Sequence, residues 1–182
     1  MAVNAFAAGS VGRLIAVTSC KGGVGKSTVS LEIALRLASR GNRVGLFDAD
    51  VHGPSLPTQL PSVLKDGAQV TLAADGWAVL PLEHKSLKLM SMGWLCRLWS
   101  RPADEVRSGH PPGRLAAMLL HSTAWGELDY LIVDSPPGTG EIPRALYSKV
   151  PLTGAIVVTT PSSLAISDVV RGVGMLDRFN VN

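Results

Sequence analysis

The 182-residue sequence contains little cysteine, few aromatic residues and no long apolar run. Two cysteines are too few for a disulfide framework, so we expect a reducing compartment, the cytoplasm or the mitochondrial matrix. The apolar runs, such as 155–158, are far shorter than the roughly 20 residues of a membrane-spanning helix, so we expect no membrane span. The net charge is only +3 and the basic residues are scattered, which argues against a nucleic-acid partner.

The sequence does contain enough apolar residues, 46%, for one globular domain with a substantial core. Residues 1–12 lack the apolar core of a signal peptide. We expect them to form an N-terminal tail before a domain at 13–182. Short β-branched runs alternate with longer amphipathic stretches, which predicts an α/β fold with a mostly parallel sheet flanked by helices.

The element predictions follow this alternation along the chain. Predicted strands cover 14–18, 44–47, 70–72, 77–80, 87–92, 130–133 and 155–159. Predicted helices cover 26–39, 114–125, 142–148 and 162–178. Gly41 is expected to end the first helix, and the polar segment 101–113, rich in proline and glycine, is expected to be a loop.

A glycine-rich segment, CKGGVGKST at 20–28, lies between the first predicted strand and helix. Its glycines allow the backbone to curl around phosphates, so that N–H groups and the positive helix terminus point at the anion. Lys26 is expected to reach the β- and γ-phosphates and Ser27 to bind magnesium, although Cys20 stands where the standard pattern has glycine. A structural glycine turn is the alternative, which the strand–loop–helix context disfavours. The predicted nucleotide-binding residues are Lys21, Gly22, Gly23, Val24, Gly25, Lys26, Ser27 and Thr28.

Acidic residues follow two predicted strands, at the sheet edge where ligands of α/β proteins bind. Asp134 ends the run LDYLIVD and is expected to hold magnesium through a water; Pro137 and Gly138 would form a switch beside the γ-phosphate. Asp48 is assigned to the magnesium shell and Asp50 to orienting or activating the attacking water. The alternatives are a capping aspartate at the strand end for Asp134 and a solvated turn residue for Asp48 or Asp50.

Three segments together, CKGGVGKST, DADVHGPSLP and DSPPGTGE, resemble the Mrp/ApbC family within the MinD/ParA-like deviant Walker A superfamily. Members of this family are P-loop scaffold and carrier ATPases of iron–sulfur cluster assembly. The resemblance runs from about Leu14 to Leu176. A MinD/ParA-like positioning or partner-regulating ATPase is the alternative.

The resemblance implies an ATP hydrolase that uses Mg²⁺, forms a homodimer or a heterodimer with a related subunit, and passes an iron–sulfur cluster to apo-proteins. It also implies that Lys21 reaches across a dimer to the partner's nucleotide, as an arginine finger would. Lys21, Lys26 and Asp50 are then the expected catalytic residues.

The chain departs from the family pattern in several places. The C-terminal C-x-x-C, which would supply thiolates for the cluster, is absent, and Cys96 is predicted to be a buried apolar residue rather than a ligand. The chain stops after its last predicted helix, so we expect a C-terminal part to be missing. The 101–113 segment also differs, and His52 stands where a tyrosine is common. The four histidines show no metal-ligand spacing.

Overall fold

A central β-sheet organises the protein in the computed structural model, which describes residues 4–6, 9–65, 69–74, 76–98 and 111–181. Within these ranges the strands are β1 Asn4–Phe6, β2 Gly9–Thr18, β3 Val44–Asp48, β4 Leu82–His84, β5 Leu87–Ser91, β6 Leu128–Asp134 and β7 Gly154–Val157. The helices are α1 Lys26–Ser39, α2 Leu56–Gln59, α3 Ser62–Lys65, α4 Met92–Leu98, α5 Pro112–Ser122, α6 Glu141–Tyr147 and α7 Ser163–Arg178. The predicted α/β fold is confirmed.

The strand order brings distant parts of the chain to one edge of the sheet. The order is β1-β2-β6-β3-β5-β4, and β7 also pairs with β2. The pairs β7–β2, β2–β6, β6–β3 and β3–β5 are parallel, whereas β1 and β4 pair antiparallel. Asp134 of β6 lies opposite Val17 of β2 on one side and Asp48 of β3 on the other. The segments that follow β2, β3 and β6 therefore meet at the carboxyl edge.

Helix α1 covers one face of the sheet and matches the predicted bounds 26–39. Ala34 is fully buried, and Leu31, Leu35 and Ala38 pack against the core as expected. Gly41 follows the helix with φ 85°, the left-handed conformation that glycine adopts without strain, so its predicted role as the C-terminal glycine is confirmed.

The first strand is longer than predicted. β2 begins at Gly9, and β1 pairs antiparallel with it. Residues 9–12, predicted to belong to a tail, are therefore part of the sheet. The expected hairpin between 70–72 and 77–80 is reduced to one antiparallel bridge, Leu72 to Val79.

Two helix boundaries near 112 and 122 also differ from the predictions. α5 begins at Pro112, so it takes in the end of the predicted loop 101–113; residues 101–110 lie outside the described ranges. α5 ends at Ser122 rather than 125, because Thr123 turns to an extended conformation with ψ 128°. This turn directs Trp125 into the core, where its ring meets Phe47 edge-on at 6.4 Å and its N–H donates to Leu120 O. Tertiary packing thus ends a helix that the local spacing would have continued.

The first four residues of β3, VGLF, are apolar or glycine, and all five residues up to Asp48 are buried, as expected for a parallel strand covered on both faces. No helix among the described residues is long and apolar enough to cross a membrane.

Candidate functional site

The segment 20–28 forms a loop between β2 and α1. Gly23 and Gly25 have φ values of 77° and 88°, which other residues rarely adopt, and Gly25 stands at the N-cap of α1. A Cβ atom at Gly22, Gly23 or Gly25 would meet no other atom within 4 Å, so the loop surface at these residues is open. This is the backbone form predicted for phosphate binding.

The loop borders a cavity of about 400 Å³ at the carboxyl edge of the sheet, within the size range of small-ligand sites. The cavity is lined by Ser19, Gly22, Gly23, Gly25, Lys26, Ser27, Thr28, Asp50, Ser55, Gln59 and Pro137. Most of these residues were predicted to bind nucleotide or to form the switch. The structure therefore brings residues from three separated parts of the chain, 19–28, 50–59 and Pro137, to one cavity.

Lys26 and Asp134 form a buried ion pair below this cavity. Lys26 Nζ lies 2.6 Å from Asp134 Oδ1, and the two side chains are 9% and 1% exposed. Lys26 Nζ also donates to Ser27 Oγ at 3.1 Å. The Asp134 carboxylate accepts further hydrogen bonds from Ser30 Oγ at 2.9 Å and Ser55 Oγ at 3.4 Å. Because buried charges are stable only when paired and hydrogen-bonded, this arrangement holds the phosphate-loop lysine and the β6 acid in place.

Asp48 is buried and accepts hydrogen bonds from the segment that follows β3. Its Oδ2 accepts hydrogen bonds from the backbone N–H groups of Ser55 at 2.8 Å and Leu56 at 3.0 Å, and from Ser91 Oγ at 3.1 Å. Its Oδ1 accepts from the N–H of Asp50 at 3.2 Å. Both carboxylate oxygens are thus engaged by the protein. A direct bond to magnesium would displace these contacts, so the predicted magnesium-shell role stays a proposal, and only through water.

The pKa of Asp48 is raised from 3.8 to about 6, chiefly by burial. The negative charge of Asp134, which faces Asp48 across the β3–β6 pair, contributes to this rise. Hydrogen bonds from Leu56, Asp50 and Ser91 to the ionised carboxylate act in the opposite direction. The ionised form of Asp48 is therefore less favourable in the folded protein than in water.

Asp50 lines the cavity, as its predicted role requires. Its Oδ1 accepts hydrogen bonds from the N–H groups of His52 at 3.1 Å and Gly53 at 3.0 Å. These two bonds orient the carboxylate. Within the described residues, no hydrogen bond to Oδ2 is found, so this oxygen is free to accept one from a bound water.

The remaining predicted residues separate into two groups. Pro137 lines the cavity, and Gly138 has φ 88° and donates its N–H to Ser19 O at 2.7 Å, which ties the predicted switch to the end of β2. Lys21 is exposed, and both Lys21 and Val24 lie outside the cavity lining. The structure therefore does not place Lys21 on this chain's own site.

Several polar residues of the site were not predicted. Ser30 follows Lys26 by one helical turn, a spacing that places both on the same face of α1. Ser55 lies in the HGPSLP segment, which was noted only for its resemblance. Ser19 and Gln59 carried no signal in the sequence.

The oxygen donors at the site fit magnesium. The Ser27 hydroxyl and the Asp50 carboxylate line the cavity and are hard oxygen ligands. Both oxygens of Asp134 accept hydrogen bonds from the protein, so this acid would hold the ion through a water. Mg²⁺ usually takes one or two protein oxygens together with phosphate oxygens and water. Across the residues that the structure describes, no group of three or more histidine, cysteine, aspartate or glutamate side chains is arranged to hold a metal by itself. A magnesium ion here would therefore be shared with a bound nucleotide.

The parallel sheet, the glycine loop at the start of α1 and the buried Lys26–Asp134 pair define a P-loop nucleotide-binding protein. Residues 10–182 match the family model ParA, described as the NUBPL iron-transfer P-loop NTPase. The chain belongs to this family.

Known proteins similar to this chain agree with that assignment. The chain is 43% identical over 176 residues to the chloroplastic Fe-S cluster assembly factor HCF101 of Arabidopsis thaliana, covering 97% of this chain and 32% of that protein. A nucleotide-binding protein from Archaeoglobus fulgidus, solved in complex with ADP, has a TM-score of 0.75 and 34% identity over 94% of this chain and 63% of that chain. The cell division ATPase MinD of Pyrococcus furiosus has a TM-score of 0.64 over 93% of this chain and 68% of that chain, but only 21% identity, so it supports the fold alone.

The chain spans about a third to a half of the length of the curated relatives it matches, from 31% to 54%. The match to HCF101 covers nearly all of this chain, so the shared part is the nucleotide-binding region.

Proposed function

We propose that this protein binds Mg²⁺ and ATP at the cavity beside the phosphate loop and hydrolyses the nucleotide. The observation that carries the proposal is the Lys26–Asp134 pair, 2.6 Å apart beneath a cavity lined by Gly22, Gly23 and Gly25. This pair places a cation for the β- and γ-phosphates beside an acid suited to magnesium. Magnesium, when bound, would neutralise the phosphate charge.

The residues of this chain divide the work of phosphoryl transfer, which is mostly positioning and charge stabilisation. The backbone of the glycine loop binds the phosphates, and Lys26 binds the terminal ones. Asp50, oriented by the N–H groups of His52 and Gly53, accepts a hydrogen bond from the attacking water. Pro137 lines the same cavity.

The protein's cargo is proposed to be an iron–sulfur cluster, delivered to apo-proteins. The support is the family, described as iron-transfer NTPases, and the names of relatives such as the Fe-S cluster assembly factor HCF101. We further propose that the active form is a homodimer or a heterodimer with a related subunit, in which the exposed Lys21 reaches the partner's nucleotide. A thiol at Cys20 within the phosphate loop is compatible with a reducing compartment, cytoplasm or mitochondrial matrix.

Hydrolysis is tested by measuring phosphate release from Mg-ATP by the native protein and by two variants. Lys26→Ala is expected to lose nucleotide binding, whereas Asp50→Ala is expected to keep ADP affinity and to hydrolyse ATP slowly. Turnover at the native rate in Asp50→Ala would rule out the water-orienting role of Asp50.

Cluster carriage is tested separately by anaerobic reconstitution of the full-length protein with iron and sulfide, with and without ATP. Bound iron and its transfer to an apo-ferredoxin would support the proposal. If the full-length protein retains no iron under either condition, cluster carriage is ruled out. The MinD likeness extends only to the fold, and no further observation favours a positioning role.

A further inference from the structure

Gln59 lines the cavity, and its side-chain amide oxygen has no hydrogen-bond partner among the residues that the structure describes. It is the last residue of α2 and lines the same cavity as Lys26 and Ser27. Its Oε1 atom is buried and accepts no hydrogen bond from the part of the chain that the structure describes. A buried polar atom left without a partner costs about 1–3 kcal/mol. A purely structural role does not account for a glutamine at this position.

Backbone hydrogen bonds, rather than contacts of its side chain, fix the position of Gln59. Asp48 Oδ2 accepts the N–H groups of Ser55 and Leu56, which anchors the start of α2. One turn later, the N–H of Gln59 donates to Ser55 O at 3.0 Å. The buried carboxylate at the end of β3 therefore holds the backbone of Gln59 beside the cavity, and the side-chain amide is left to bind what enters it.

The same cavity is lined by the groups that would bind the phosphates and by those that could hold a water. The phosphate loop with Lys26 lines it, and so does the segment that carries Asp50 and Gln59. An amide can accept a hydrogen bond through its oxygen and donate one through its nitrogen at the same time. This combination matches a water that must be held against a phosphate oxygen, and glutamine has this task in GTPases.

We infer that Gln59 is a positioning residue that orients the water attacking the γ-phosphate, an inference that rests on the proposed ATP hydrolysis. Gln59 Oε1 accepts one hydrogen of the water and Asp50 accepts the other, while Gln59 Nε2 donates to a γ-phosphate oxygen. The water oxygen bonds to the γ-phosphorus, and the bond from that phosphorus to the bridging oxygen breaks. ADP leaves with the electron pair, and the water proton passes to the released phosphate.

The test is the variant Gln59→Met, which keeps the length of the side chain and removes both polar atoms. We expect its kcat for ATP to fall by about 100-fold, the scale of losing one group that acts in the transition state. Its Kd for ADP is expected to stay within about twofold of the native value, because ADP lacks the γ-phosphate, and Gln59 contacts only that phosphate and the attacking water. Its urea midpoint is expected to equal or exceed the native one, because an unsatisfied buried oxygen has been removed. Thr58→Ala, at the exposed neighbouring residue, is the matched control and is expected to change none of these values.

Two results would overturn the role of Gln59 while leaving the proposed ATP hydrolysis intact. Native turnover in Gln59→Met would show that the amide is not needed. A loss of turnover with a lower urea midpoint or an equal loss of ADP affinity would show a structural role. If the native protein releases no more phosphate than Lys26→Ala, the proposed hydrolysis fails, and the role of Gln59 fails with it.

Discussion

The two loops that line the cavity are held by different means. The phosphate loop at 20–28 takes its shape from glycines with positive φ, Gly23 and Gly25, so its conformation follows from its own residues. The loop at 49–55 is held by carboxylates: the buried Asp48 accepts hydrogen bonds from Asp50 and Ser55, and Asp50 accepts two from within the loop. Local chemistry therefore determines the first loop, whereas the second depends on the environment at the end of β3.

This difference matters for function because the two loops carry different parts of the proposed reaction. The phosphate loop provides binding, and the 49–55 loop with α2 provides the groups that face the attacking water. A change in the first loop is expected to alter affinity, and a change in the second is expected to alter turnover. The four predictions below test this separation.

The largest expected effect is that of Lys26→Ala. Nucleotide binding is expected to be abolished, and the free energy of unfolding to fall by about 3–5 kcal/mol, because Asp134 is left as an uncompensated buried charge. Calorimetric titration with ADP and urea unfolding measure the two effects. The double variant Lys26→Met with Asp134→Asn is expected to regain much of the stability but no binding.

Lys21→Ala is the matched control for that experiment. Lys21 is exposed and lies in the same loop, so its removal is expected to leave the stability of the chain unchanged. Equal losses of stability in Lys21→Ala and Lys26→Ala would contradict the importance of the buried pair.

The second prediction concerns Asp48→Ala, which removes the acceptor for the 49–55 loop. A buried donor that loses its acceptor costs about 1–3 kcal/mol, so the protein is expected to be less stable by at least that amount. Amide hydrogen exchange is expected to speed up at Asp50, Ser55 and Leu56, while the amides of the phosphate loop keep their native rates. Faster exchange in both loops together would show that they are not independent.

A third prediction concerns the packing of α7 against the phosphate loop. Gly172 is buried, and a Cβ atom there would overlap Cys20 Sγ. Gly172→Ala is therefore expected to cost about 1–3 kcal/mol, as overpacking usually does, and to weaken ADP binding. Cys20→Ala removes the sulfur and is expected to restore most of the loss in the double variant.

A double-mutant cycle measures that coupling directly. Additive effects of Gly172→Ala and Cys20→Ala would mean that the two residues do not meet. Burial is the main cause that raises the pKa of the Cys20 thiol; a backbone hydrogen bond with Gly172 lowers it, and the charge of Asp168 raises it by a smaller amount.

The fourth prediction is a pH dependence that comes from Asp48. Its pKa is about 6 in the folded protein and 3.8 ordinarily, so between these values the folded state holds a proton that the unfolded state has released. The protonated Asp48 therefore stabilises the folded state at low pH. This stabilisation is lost as the pH rises towards 6, by about 1.4 kcal/mol for each unit of difference between the two pKa values. Urea unfolding of the native protein and Asp48→Asn, in EDTA without nucleotide from pH 4.5 to 7.5, measures it. A difference in stability that stays constant with pH would contradict the raised pKa.

Prediction from sequence was most accurate where structure depends on neighbouring residues. The bounds of α1, the role of Gly41 and the form of the phosphate loop all follow from local spacing and from glycine chemistry. The start of β2 was predicted too late, because its pairing with β1 and β6 extends it to Gly9. The end of α5 was predicted too late as well, because the buried Trp125 redirects the chain.

The same division holds within the candidate site. The sequence by itself determined that glycines, Lys26 and Ser27 form a phosphate loop after a strand, because those residue types are needed wherever a backbone wraps an anion. Only the tertiary structure decided that Asp134 pairs with Lys26, that Asp48 accepts hydrogen bonds from the 49–55 loop, and that Gln59 lines the cavity. The physical reason is that burial and hydrogen-bond partners, which set what a polar side chain does, come from strands far apart in the chain.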